Sequence, residues 1–121
     1  METTDYVLPS IRKFLNIGED DTVFDGEIIP HIMSAFGKLS QNGIGNPQPI
    51  TPTLTWADII EPTMISNPEV FAMVPLYVML SVKILFDPPP PSNVSYYSQY
   101  IEENLWRLKQ IYDINREVTE K

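Results

Sequence analysis

The 121-residue sequence contains no cysteine. Disulfide bridges and thiolate metal sites are thereby excluded, and a reducing compartment is the expectation. Histidine is almost missing too: His31 stands alone. One imidazole with no cysteine has no obvious company for a metal or a nucleophilic triad, so it is expected to be structural or exposed. Positive charge is scarce, with 8 Lys and Arg against 16 Asp and Glu and a net charge of −8. Proteins that grip nucleic acid need a basic footprint to neutralise phosphates, so that class is disfavoured. No Walker loop, Gly-x-Ser-x-Gly elbow or dinucleotide fingerprint occurs. Glu102 and Glu103 are adjacent, so on a helix they point about 100° apart and make a poor acid–base pair. The sequence nominates no catalytic residue, no metal ligand and no cofactor, and the expectation is a protein that is not an enzyme.

Long hydrophobic runs are equally limited. The most apolar segment is "VFAMVPLYVMLSVKILF", Val70 to Phe86. It is shorter than the roughly 20 residues of a typical membrane span, and it carries Pro75 and Lys83. A buried core helix is expected, and no membrane association. Met1–Asp5 offers neither a basic region nor an apolar run, so no signal peptide is expected.

What is present is helical periodicity in a chain of one-domain length. Val7, Leu8, Ile11, Phe14 and Leu15 share one face of a helix within residues 6–16, with Pro9 in its first turn and Gly18 as its stop. "GEDDTVFDG" follows. Its acids lack the alternation of an EF-hand, so they read as a cap for a second helix, with Thr22 and Asp25 approximating a capping box. Phe24, Ile28, Ile32, Ala35 and Leu39 continue that helix to about Gln41, and Ile29, Met33 and Phe36 widen its stripe. Pro30 is expected to kink it or to mark a late start, and Asn42-Gly43 to end it. A third helix starts at the Asn67 cap with Pro68 in first position and runs to about Phe86. It is apolar all round, as expected of a helix buried on several sides. Tyr97, Ile101, Leu105, Leu108 and Tyr112 form the stripe of a fourth helix over residues 93–118, capped by Ser92 or Asn93. The fold expected is all-α: a small bundle of about four helices in a single domain, residues 1–121.

Proline is abundant, at 12 residues, and concentrated. Residues 43–67 hold Pro47, Pro49, Pro52 and Pro62 and read as an extended loop. Ile50, Leu54, Trp56, Ile59 and Ile60 make it too apolar for a free linker, so it is expected to pack on its own domain or on a neighbouring subunit. Thr55 can cap a short turn there, Trp56 to Ile60. The second concentration is "DPPPP", Asp87 to Pro91. Proline ends a helix and pushes its predecessor out of helical geometry, so this run reads as a stiff polyproline II corner. It sets the angle between a buried helix and an exposed, partner-facing one.

Two stretches carry a resemblance. The first is "IRKFLNIGEDDTVFDGEIIPHIMSAFGKLSQNGIG": a short helix, an acidic turn, then a helix with a glycine-rich end. The second is "LYVMLSVKILFDPPPPSNVSYYSQYIEENLWRLKQ": a buried helix, a Phe-Asp-Pro-Pro break, then a helix with Glu102-Glu103-Asn104-Leu105-Trp106-Arg107-Leu108. Their order and spacing resemble the head–tail connector, or adaptor, proteins of tailed double-stranded DNA bacteriophages. The resemblance implies a virion protein of the neck, assembled in the host cytoplasm as a homo-oligomeric ring of about twelve subunits. Such a ring docks under the portal protein, meets a stopper or tail-completion protein, and extends a channel through which DNA passes without specific binding. It implies a portal-facing set of Tyr96, Tyr100, Glu103, Trp106, Arg107, Gln110 and Tyr112. Subunit contacts are expected at Trp56, Ile59, Tyr77 and Phe86. The alternative is a small helical protein-binding module acting as a monomer or dimer.

Overall fold

The computed structural model describes residues 6–18, 20–46, 48–61, 64 and 67–120, the last six of these as backbone only. Met1–Asp5, Pro47 and Pro62 lie outside the described residues. The fold is all-α. Its helices are α1 (Val7–Phe14), α2 (Asp25–Gln41), α3 (Trp56–Ile59), α4 (Pro68–Phe86) and α5 (Pro91–Glu120). Among the described residues there is no strand, only an isolated antiparallel bridge between Tyr6 and Thr55.

The helix ends follow local chemistry, with three departures from expectation. α1 stops before Gly18. Asn16 takes the left-handed conformation, φ 63°, which asparagine tolerates better than most residues. The Ile17 amide donates to the Arg12 carbonyl at 2.8 Å and the Asn16 amide to Lys13 at 3.1 Å, the paired bonds of a Schellman end. α2 ends the same way around Gly43, φ 75°, with Ile44 bonded to Leu39 at 2.9 Å and Gly43 to Ser40 at 2.9 Å. Its start is the second departure. Asp25 is the first helical residue and Phe24 precedes it with no side-chain cap. The expected Thr22–Asp25 box is not made, because Asp25 is engaged elsewhere: Arg12 Nε and Nη2 reach its two oxygens at 3.0 and 2.6 Å. That forked pair ties the end of α1 to the head of α2. α2 runs unbroken through Pro30.

α4 starts as expected. Asn67 accepts hydrogen bonds from the Glu69 and Val70 amides at 3.0 and 3.3 Å, and Pro68 opens the helix. By length and composition α4 could cross a membrane. Here it is the centre of the bundle, packed by α1, α2, α3 and α5, with Val70, Val74, Tyr77, Val78 and Val82 buried. α5 begins one residue before the expected cap, at Pro91. Proline suits the first helical position, where no backbone donor is needed. Ser92 and Asn93 are therefore inside the helix, and the Asn93 amide donates to the Pro90 carbonyl at 2.8 Å.

The loop after α2 is built into the core. Ile44, Leu54, Trp56, Ile59 and Ile60 are all buried. Gly45 has φ 81°, and a Cβ there would meet the Ile59 carbonyl at 3.2 Å, so glycine suits this close approach. Thr55 and Asp58 form a reciprocal capping box on α3, at 3.2 and 2.9 Å. The Thr55 amide and hydroxyl hold the Asp58 carboxyl below the usual carboxylate range.

Candidate functional site

The last helix buries one stripe and exposes the rest. Ile101, Asn104, Leu105, Leu108 and Tyr112 face the core. Tyr112 is therefore a core residue here, 4 % exposed, and not part of an outward face: it sits four residues beyond Leu108, on the same side of the helix. The other expected portal-facing residues are all exposed. Tyr96 is 69 % exposed, Tyr100 42 % and Trp106 62 %. Glu103, Arg107 and Gln110 are exposed as well, and Arg107 Nη2 lies 3.4 Å from Glu103 Oε1, one turn away. Ile114 adds an exposed apolar side chain that sequence reasoning passed over. At three or four residues' spacing it continues the line Tyr96, Tyr100, Glu103, Arg107, Gln110.

The four expected subunit-contact residues lie deeper. Trp56, Ile59 and Tyr77 are buried in the chain's own core, so they are not on the surface of a subunit. Trp56 is drawn in by a specific bond: its indole Nε1 donates to Ser10 Oγ at 3.0 Å, and Ser10 in turn donates to the Val7 carbonyl at 2.9 Å. Burial also pushes the Tyr77 phenol above its ordinary pKa. Phe86 is half-buried, edge-on to Phe24 with ring centroids 5.5 Å apart.

Concavities lie between and beside the helices. A groove of about 250 Å³ between α2, α4 and α5 has His31, Lys38, Tyr77 and Glu102 among its lining. Lys38 Nζ and Glu102 Oε1 approach to 3.5 Å across it. Beyond α5, a groove of about 410 Å³ is lined by Leu80, Asn93, Tyr96, Tyr97 and Tyr100. Beyond α2, a cleft of about 380 Å³ is lined by Met33, Phe36, Gly37, Gln48 and Pro49. This cleft was missed from sequence. Its signal was the pair Met33 and Phe36, which widen the α2 stripe past what one buried face needs. Among the described residues no group of three His, Asp or Glu could hold a metal ion.

On the outer side of α5, Tyr96, Tyr100 and Trp106 stand in solvent together with Arg107, residue types that recur at interface hot spots. No curated protein and no solved structure matches the chain. A family described as "Phage connector protein" matches residues 7–115, a span that takes in α1 to α4 and all of α5 but its last five residues. By that match the chain belongs to the phage connector family, the structural proteins that join head and tail at the neck of a phage particle.

Proposed function

We propose that this connector assembles as a ring of about twelve copies beneath the portal, receives a stopper or tail-completion protein on its other side, and extends the DNA conduit. The family match over residues 7–115 carries the reading. The exposed arc of α5 around Glu103, Trp106, Arg107 and Gln110 is the portal-facing surface. Trp and Arg are the residues that most often anchor interfaces, and Trp106 is too exposed to serve the chain's own core. Each copy carries −8, and where part of that charge lines the conduit it repels DNA phosphates, which favours passage over binding. The role is structural and involves no catalytic step.

Light scattering of the purified chain, alone and mixed with the portal ring of the same genome, tests the reading. The expected result is a portal species heavier by about a dozen chains. A chain that never joins the portal, at high concentration and low salt, would instead indicate a small binding module acting as a monomer or dimer.

A further inference from the structure

We propose that the tyrosine edge of α5, led by Tyr96, seats in the Met33–Gly37–Pro49 cleft of a second copy of this chain. The proposal rests on the reading that the connector self-assembles, and it names the two surfaces that meet.

Placement is the first argument. His31, Ser34 and Lys38 line the central groove from one side of α2, whereas Met33, Phe36 and Gly37 line the cleft from the other. Ser98 and Glu102 face the central groove from α5, whereas Tyr96 and Tyr100 face away from it. At about 100° per residue these sets fall on opposite sides of their helices. Cleft and tyrosine edge thus occupy opposite flanks of one molecule, and a chain cannot fill its own cleft with its own Tyr96. Contact between opposite flanks of successive copies is heterologous, the kind that closes a ring when the rotation allows.

Charge is the second argument. Copies of −8 repel one another, and that repulsion costs least where both faces are neutral. None of the five cleft residues is charged, and no charged residue occurs from Pro88 to Ile101. The central groove, by contrast, holds Lys38 and Glu102. The two flanks proposed to meet are neutral, and the surface left between them is not.

Chemistry is the third. Tyr96 stands 69 % exposed as a knob. The cleft floor is open at Gly37, where an added Cβ would meet nothing within 4 Å. Met33, 58 % exposed, offers a thioether to an aromatic edge. Gln48 donates its amide nitrogen to the Asp58 carbonyl at 2.6 Å, which leaves its oxygen to accept from a phenol.

The test uses the full chain in two variants. Tyr96→Ser removes the knob. Gly37→Leu fills the cleft, and because that position is open and leucine is a better helix former than glycine, the helix content by circular dichroism should hold. Light scattering should give species above dimer for the wild type and the single-chain mass of 13.9 kDa for each variant alone. An equal mixture should give a dimer and nothing larger, since one variant keeps its knob and the other its cleft. Assembly unchanged in either variant, a mixture that forms no dimer, or a wild type that stays monomeric at millimolar concentration overturns the proposal. Trp106→Ala separates the two readings: it should assemble like the wild type yet bind the portal at least tenfold more weakly.

Discussion

Residues 43–60 and residues 87–100 are both rich in proline and nearly free of charge, yet the first is folded into the core and the second stands largely in solvent. Proline dictates the backbone of each, and the side chains between the prolines decide its place. The first stretch supplies Ile44, Leu54, Trp56, Ile59 and Ile60, all buried. It is also tied down by backbone bonds, Val7 to Leu54 at 2.8 Å and Asn46 to Ile59 at 2.7 Å. The second supplies serines, Asn93 and tyrosines, whose polar groups keep one end wet. Each stretch leads into a helix bearing a tryptophan. Trp56 is 3 % exposed and Trp106 62 %, so the two tryptophans report on the two fates.

The largest expected effect tests the buried member. Trp56→Ala removes a large side chain and its bond to Ser10, and should destabilise the chain by about 3–5 kcal/mol in urea unfolding. A loss under about 1 kcal/mol would make the first stretch an appended loop and erase the contrast. A smaller effect sharpens it. Thr55→Ala removes half of the α3 capping box and should cost about 1 kcal/mol. The same box predicts a pH dependence. The Thr55 amide and hydroxyl depress the folded pKa of Asp58, so its stabilisation is full above the unfolded carboxylate pKa and is lost as pH falls through the folded value. Thr55→Ala keeps the amide, the larger cause, and removes the hydroxyl, so it should make that acid limb of an unfolding titration shallower without abolishing it. The smallest effect belongs to the exposed member. Trp106→Ala should leave circular dichroism unchanged and stability within about 0.5 kcal/mol. Unfolding of the monomer instead would put Trp106 in the core and make the two regions alike.

Much of this fold was legible because its signals are local. Asn67-Pro68 starts α4, Phe86 ends it, and Asn42-Gly43 closes α2, each within a few residues of its cause. What was illegible depends on partners far along the chain. Asp25 reads as half of a cap until Arg12, 13 residues earlier, takes its carboxylate. Trp56 reads as a subunit contact until Ser10, 46 residues earlier, accepts a hydrogen bond from its indole. The exposed side of α5 followed from helical period alone, since Tyr96, Tyr100, Trp106 and Arg107 fall off the stripe that buries Leu105 and Leu108. Tyr112 lies on that stripe, so its period argues for the burial observed and against the portal-facing place that the resemblance gave it. The cleft beside Gly37 needs the loop residues Gln48 and Pro49 to fold back over α2, which no local window reveals.

Length gives the proline corner a further meaning. α5 has 30 residues against 19 in α4, or about 45 Å against about 28 Å at the usual rise. A helix hinged at one end is a lever. A tilt of about 5° where it begins would swing the far end by roughly 4 Å over that length, more than a hydrogen bond can stretch to follow. Three prolines in a row before the first turn, with a fourth opening it, leave little torsional freedom at that fulcrum. The stiffness spent there is recovered as aim at the tip.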